Sequence, residues 1–175
     1  MISSVQNNIQ SRCYMDTLRS PTVIENGTAD DCRSSITLHL IDYWRARLPA
    51  GHGLPRWSDI ELMDLYMIAA NIAVKDVISD GTDYVNRFWG SALTAALGFE
   101  GTGVHVSTYQ PISMRTAVQK RYAHIVRTAG TSMVRGHIST MPDKAFLPFE
   151  LVHLPLWGKS DKVEHIISAY DFDPH

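Results

Sequence analysis

Residues 82–103 read TDYVNRFWGSALTAALGFEGTG, and this stretch decides how the rest of the chain is interpreted. Its β-forming run, residues 84–89, comes directly after the turn signal Asp80-Gly81. Residues 92–97 then favour a short helix, which Gly98 closes. Because two of the next five residues are also glycines, the chain is expected to reverse direction there. The stretch therefore predicts a strand, a short helix and a glycine-rich loop.

The glycines of this loop do not have the arrangement of a nucleotide-binding motif. Dinucleotide- and phosphate-binding loops place their glycines directly after a strand and at the start of a long helix. Here Gly98-Phe-Glu-Gly-Thr-Gly103 follows a helix, and no Lys-Ser/Thr pair belongs to it. We therefore interpret these glycines as residues that supply positive φ angles in a turn.

The patterns on both sides of this stretch complete an α+β fold. Before it come an amphipathic N-terminal helix at 35–48, a second helix that opens at the capping box Ser58-x-x-Glu61, and a strand at 72–78. After it come a long helix at 111–129 and three strands, at about 132–141, 146–156 and 163–172. Since short connections indicate antiparallel pairing, the order predicts a five-stranded antiparallel sheet with helices mainly on one face.

The hairpin between the third and fourth strands determines which side chains share a face. If its turn centres on Asp143-Lys144, His137 lies opposite Glu150. One face then holds Val134, Ile138, Phe149, Leu151 and His153, and the other holds Arg135, His137, Glu150, Val152 and Leu154. Because both faces carry apolar residues, we expect helices to cover one side of the sheet and the N-terminal helix to cover the other.

Four segments of the chain resemble a stand-alone bacterial branch of the PAS superfamily. Two of them, Arg87-Phe-Trp-Gly-Ser91 and Gly98-Phe-Glu-Gly-Thr-Gly103, are similar to that branch's signature Arg-x-x-Gly-Thr … Gly-x-Asp-Leu-Thr-Gly, with departures at Ser91, Glu100 and Gly101. Leu54-Pro-Arg-Trp-Ser-Asp-Ile60 looks like its opening segment, and Leu151-Val-His-Leu-Pro-Leu156 looks like its penultimate strand. The resemblance covers roughly residues 34–172.

The resemblance implies a PAS-like fold in which the five strands lie in the order 2-1-5-4-3. It also implies a sensory or signalling role and a small-ligand site between the sheet and the long helix, without naming a ligand. The sequence identifies no cofactor. Because no kinase, cyclase or DNA-binding segment accompanies these elements, the signal is expected to pass through dimerisation or a protein partner.

Composition excludes several other classes of protein. The 175 residues fit one domain, and a hydrophobic content of 45% fits a globular core. With a net charge of -2 and scattered basic residues, we expect no nucleic-acid binding. No apolar run approaches the ~18 residues of a membrane span, and the first residues lack the features of a signal peptide. We therefore expect a cytoplasmic protein that does not bind membranes.

Residues 1–33 are expected to form a mobile tail, and residues 34–175 the PAS-like domain. The tail is rich in Ser, Asn, Asp and Thr and has no sustained apolar period. Its two cysteines, Cys13 and Cys32, form no CxxC motif. We expect them to be reduced and solvent-facing.

The N-terminal helix carries an apolar face that needs a partner surface. This face consists of Ile36, Leu40, Tyr43, Trp44 and Leu48. It either covers the sheet or also pairs with a second copy of itself, since monomers seldom expose so large an apolar patch. We expect a homodimer with these five residues at its interface.

Four side chains are candidates for ligand binding in the implied cavity: Arg87, Trp89, Tyr122 and His153. Each also has a structural interpretation. His153 suits a core histidine bonded to its surroundings, Tyr122 suits core packing, and Arg87 suits an ion pair.

Local motifs for catalysis are missing from the sequence. It contains no HxxxH or HExxH pattern for zinc, and Ser91 lies in Trp-Gly-Ser-Ala rather than in a nucleophile elbow. We expect no enzyme and no metal site. The alternative is a small enzyme that uses the same cavity, with catalytic residues distant in sequence.

Overall fold

One antiparallel sheet organises the structure, a computed structural model that describes residues 22–25, 31–138 and 141–174. Its strands are β1 (Thr22–Glu25), β2 (Ile72–Ile78), β3 (Asp83–Trp89), β4 (Ser132–His137), β5 (Pro148–Trp157) and β6 (Val163–Asp171). They lie in the order β1-β4-β5-β6-β2-β3, and every neighbouring pair is antiparallel. The five expected strands are β2 to β6, and their order is the one that the resemblance implies. β1 extends the sheet beside β4.

Three α-helices surround the sheet in the described residues: α1 (Ser35–Arg45), α2 (Ser91–Leu97) and α3 (Ile112–Thr128). The side chain of Ser34 caps α1 by accepting a hydrogen bond from the backbone N–H of Ile36 (3.1 Å). Gly98 ends α2 with a left-handed φ of 82°, as its position predicts. The α+β fold predicted from the sequence is confirmed.

The second predicted helix is the one element that takes a different form. In its place are two 3₁₀ segments, Trp57–Asp59 and Leu62–Asn71, and the second is kinked at Leu65. Asp59, not Ser58, closes the first turn, because its carboxylate accepts the backbone N–H of Arg56 (2.8 Å). The capping-box prediction was therefore wrong.

The two faces of the sheet are covered by different helices. On one face, Trp44 of α1 donates its indole N–H to the backbone oxygen of Pro155 in β5 (3.0 Å). On the opposite face, the ring of His153 in β5 meets the ring of Tyr122 in α3 edge to face, with centroids 5.0 Å apart. The helices thus enclose β5, most of which is buried.

The β4–β5 hairpin has a different register from the expected one. Arg135 pairs with Glu150, and Val134 pairs with Leu151, because the connection is longer than a tight turn and includes the 3₁₀ segment Pro142–Lys144. The difference is two residues. Since side chains alternate with a period of two, each residue still points to the face that the sequence predicted.

The segment expected to be a tail contributes to the fold at two places. β1 pairs with β4, with Val23 opposite Val134. Cys32 is buried, with its Sγ 3.6 Å from the Sδ of Met133, so the expectation of a solvent-facing thiol was wrong for this residue. Cys13 lies outside the described residues. Mobility of the remaining residues before the domain stays a prediction.

Candidate functional site

A cavity lies between the sheet and α3, where the resemblance places a ligand. Its volume is about 90 Å³. This is several times the roughly 10–15 Å³ that a single water needs by the same measure. Its walls are mainly apolar and aromatic, and they are formed by Trp89, Leu97, Tyr109, Met114, Ala117, Val118, Arg121, Tyr122, Ile138, Met141, Phe149, Leu151, His153, Tyr170 and Phe172. The cavity is the candidate site.

Three of the four predicted ligand residues line this cavity, and Arg87 does not. Arg87 lies on the other face of the sheet, where its Nε donates to the Asp76 carboxylate (2.7 Å) and its guanidinium lies over Trp57. The cause is a β-bulge, because Val74 pairs with Phe88 while the next residue, Lys75, pairs with Asn86. Arg87 is the extra residue of this bulge. It therefore points away from the face of Trp89, although the two are only two positions apart.

The glycine-rich loop holds Trp89 against the cavity. Asn86 reaches into the loop and donates to the backbone oxygen of Gly101 (2.8 Å), while Gly103 donates its N–H to the backbone oxygen of Asn86 (2.8 Å). A Cβ atom at Gly101 would lie 2.4 Å from the indole of Trp89. Gly101, where the signature has leucine, therefore leaves space for the indole of Trp89 on the cavity wall.

A cluster of buried polar side chains lies beside the cavity. The Nζ of Lys75 is 3.1 Å from the hydroxyl of Tyr170 and 3.4 Å from the hydroxyl of Ser168. The hydroxyl of Ser168 is 2.6 Å from Nδ1 of His153. The hydroxyl of Tyr122 is 3.5 Å from that of Tyr170. The cluster joins β2, β5, β6 and α3.

Two members of this cluster, Tyr122 and His153, were predicted from the sequence as ligand-binding residues, and the other three were not. Lys75 had one signal, a single lysine within the apolar run of β2, Ile-Ala-Val-Lys-Asp-Val-Ile. Ser168 and Tyr170 had none, because their partner Lys75 lies more than ninety residues away in the sequence.

Burial and the charge of Lys75 shift the pKa values of the cluster. Desolvation lowers the pKa of Lys75, and it lowers the pKa of His153 well below its usual value, with Arg121 and Lys75 adding to the effect on His153. Burial raises the pKa of Tyr122 well above its usual value. Burial alone would also raise the pKa of Tyr170, but the charges of Lys75 and Arg121 and the hydrogen bonds from Tyr122 and Lys75 together outweigh it, and the pKa of Tyr170 is lowered. The imidazole of His153 is therefore neutral near pH 7.

The five residues predicted for a dimer interface divide into two groups. Leu40 and Trp44 are buried by the chain's own sheet, so they are not open to a second copy. Ile36 and Tyr43 are half-buried, and Leu48 is exposed. The sheet already covers most of the apolar face that suggested a dimer. Homodimerisation stays a prediction, and it now depends on the second group.

The residues that the structure describes contain neither a metal-binding cluster nor a membrane-spanning helix. No group of three or more His, Cys, Asp or Glu side chains among them is arranged to hold a metal ion. No helix in the same ranges has the length and apolar character needed to cross a membrane.

A family model described as the PAS domain matches residues 32–170 of the chain. The chain belongs to the PAS domain family. PAS domains are in general sensory and signalling domains rather than catalysts, and the matched range agrees closely with the segment in which the resemblance was found. Searches of curated proteins and of solved structures gave no match to this chain.

Proposed function

We propose that this PAS domain is a cytoplasmic sensor that binds a small ligand in the cavity between the sheet and α3. The observation that supports the proposal is the cavity itself, because apolar walls with a few converging polar groups are typical of small-molecule sites. Trp89, Tyr122 and His153 would contact the ligand, since all three line the cavity. The cofactor, if one is bound, is not specified by these residues.

Native mass spectrometry of freshly purified protein tests the proposal. A retained small molecule is expected in the wild-type spectrum. Ala117 faces the cavity from α3, so Ala117→Leu fills the space and is expected to lose the bound mass. Ala123→Leu is the matched control, because Ala123 is exposed on the same helix. Retention of the same mass by Ala117→Leu would place the ligand elsewhere and contradict the proposal.

Transmission of the signal through a homodimer or a protein partner is part of the proposal. In a homodimer built on α1 and the segment that follows it, the exposed side chain of Leu48 is the best point of contact with a second copy. Leu48→Glu is then expected to give a folded monomer, measured by light scattering together with circular dichroism. If the variant and the wild type have the same mass in solution, the surface around Leu48 is not the dimer contact.

A small enzyme in the same cavity is the second candidate, and one observation favours it. The buried Lys75 lies beside the half-buried Tyr170, and the pKa of each is lowered, as in many general acid–base pairs. A sensor releases its ligand unchanged, whereas an enzyme converts it. Mass analysis of the ligand after prolonged incubation with the protein distinguishes the two.

A further inference from the structure

The polar groups on the cavity wall can donate hydrogen bonds, and the described residues of the wall include no carboxylate. The lining includes the guanidinium of Arg121, the imidazole of His153 and three tyrosine hydroxyls, but no Asp or Glu. The indole N–H of Trp89, also in the lining, is buried and has no acceptor among the described residues. A wall of this composition offers several donors and a positive charge to a ligand.

The buried hydrogen bonds explain why the hydroxyls act as donors. Two tyrosine oxygens accept from nitrogen: Asn86 donates to Tyr109 (2.7 Å), and Lys75, when protonated, donates to Tyr170 (3.1 Å). An ammonium has three donors and no acceptor, so it cannot receive the Tyr170 proton in return. Each of these hydroxyls therefore has its own O–H left to donate.

The same network favours one tautomer of His153. Protonated Lys75 also donates to the hydroxyl of Ser168, and we assign the Ser168 proton to the 2.6 Å contact with Nδ1 of His153. A neutral imidazole that accepts at Nδ1 carries its proton on Nε2. His153 thus adds a further N–H donor to the cavity side of the sheet.

Lys75 is a buried cation without a counter-ion in the described residues. It has no solvent exposure, and none of the ion pairs there includes it. Its other neighbours are aromatic faces, with Nζ 5.0 Å from the ring centroid of Tyr170 and 5.6 Å from that of Tyr122. A buried charge of this kind is costly unless an opposite charge comes close.

We infer that the ligand of the proposed sensory function, on which this inference rests, is a small organic carboxylate with an apolar body. The carboxylate accepts from the hydroxyl of Tyr170 and faces Arg121, while Lys75 lies behind Tyr170 and balances the charge. The apolar body lies among side chains such as Val118, Ile138 and Phe149.

The test uses carboxylates and neutral amides of nearly the same shape. Benzoate with benzamide, phenylacetate with phenylacetamide, and hexanoate with hexanamide are titrated into the full chain by isothermal calorimetry. For at least one pair, the carboxylate is expected to bind the wild type about tenfold more tightly than the amide, since charge-assisted hydrogen bonds are roughly twice as strong as neutral ones.

Variants show whether the preference comes from the named cations. Lys75→Met keeps the length of the side chain and removes its charge, and it is expected to reduce the preference to about twofold or less. Arg121→Gln is expected to weaken the preference as well. Lys120→Gln is the matched control, because Lys120 is exposed on the neighbouring position of α3, and it should leave the preference unchanged. If Lys75→Met does not fold, Tyr170→Phe takes its place with the same expectation.

Several outcomes overturn the inference. Tighter binding of the amides, equal binding within a pair, or an unchanged preference in Lys75→Met would each do so, and the first two would leave the cavity as a ligand site. If none of the three carboxylates binds, the inference is also wrong, and the bound mass in the native spectrum then decides the proposed function separately.

Discussion

The ammonium group of Lys75 lies at the centre of the sheet with aromatic rings and two hydroxyls around it and no carboxylate partner among the described residues. Replacement of an uncompensated buried cation by an apolar side chain of similar length removes a desolvation cost. Lys75→Met is therefore expected to raise the free energy of unfolding at pH 7 by roughly 1–4 kcal/mol. Urea denaturation followed by circular dichroism measures the difference.

The pH dependence of stability provides an independent check on Lys75. Because its pKa is lowered in the folded protein, the unfolded chain binds more protons between the folded pKa and the usual value of 10.5. Wild-type stability is therefore expected to rise from pH 7 towards pH 9.5 by more than that of Lys75→Met. If the free energy of unfolding changed with pH by the same amount in both proteins, the lysine would not titrate in this way.

Glu150 illustrates the opposite case, a buried charge that is well compensated. Its carboxylate accepts the backbone N–H groups of Arg33 and Ser34, the hydroxyl of Thr37 and Nε of Arg135. Burial raises its pKa, but these hydrogen bonds outweigh burial, and the pKa is lowered. Glu150 therefore joins the start of α1 to β5 and β4.

Glu150→Gln is expected to lower the free energy of unfolding at pH 7 by about 1–3 kcal/mol, since buried donors lose a charged acceptor. Because the pKa of Glu150 is lower in the folded protein than the usual value of 4.5, its ionised carboxylate stabilises the fold above pH 4.5. That contribution is lost as the pH falls towards the pKa of the folded state. The difference between variant and wild type should thus shrink below about pH 4.5. Glu61→Gln, which changes an exposed carboxylate, is the control and should have little effect.

At the residue scale, the sequence predicts those site residues whose own pattern is informative. Trp89, Tyr122 and His153 stand in apolar strand or helix patterns, and all three line the cavity. Arg87 was misplaced because a bulge changes the alternation within a single strand, which no local pattern reveals. Lys75 was missed because its meaning depends on contacts between distant strands.

At the scale of elements, α3 ends in a way that its sequence does not predict. The helix was expected to run to residue 129, but Ala129 already takes the left-handed conformation, with φ of 54°. Residues with a Cβ atom are disfavoured in this conformation by roughly 1–2 kcal/mol. The helix end therefore retains a small amount of backbone strain.

Ala129→Gly is expected to raise the free energy of unfolding by about 0.5–1 kcal/mol, because glycine removes the strain at some cost in unfolded-chain entropy. Ala123→Gly, at an exposed position inside the same helix, should instead lower it by about 1 kcal/mol. Thermal unfolding of both variants measures the two effects. A loss of stability in Ala129→Gly would mean that residue 129 does not take the left-handed conformation at the end of α3.

The elements that the sequence predicted correctly are those with a clear period or a clear stop. α1, α3 and the strands have them, whereas Leu62–Asn71 has apolar residues at helical spacing but forms a kinked 3₁₀ segment. The preceding segment, Trp57–Asp59, is closed by the bond from the backbone N–H of Arg56 to Asp59, and Glu61 then caps Leu62–Asn71 by accepting from the backbone N–H of Met63. Local capping chemistry therefore overrode the periodic signal there.

At the scale of the whole molecule, the boundary of the domain depends on contacts between distant parts of the chain. Cys32 is buried against the sheet, and Ser34 both caps α1 and donates its hydroxyl to Asp171 (2.6 Å). Composition predicted a tail up to residue 33, because a few polar residues give no sign that a carboxylate more than a hundred positions away will bind their backbone. The family match begins at residue 32, in agreement with these contacts.

Truncation from the N-terminus separates the tail from the domain. Removal of residues 1–20 is expected to leave the melting temperature unchanged, since their sequence has no apolar period. Removal of residues 1–34 also removes β1, the buried Cys32, the cap of α1 and backbone donors to Glu150. These losses amount to about 2–4 kcal/mol. For a chain of this size, the melting temperature should then fall by roughly 4–16 °C.

A third variant that lacks residues 1–30 isolates the contribution of β1, because it keeps the contacts of Cys32 and Ser34. A large fall on removal of residues 1–20 would show that these residues dock on the domain, and an unchanged melting temperature without residues 1–34 would show that the contacts around Glu150 add no stability.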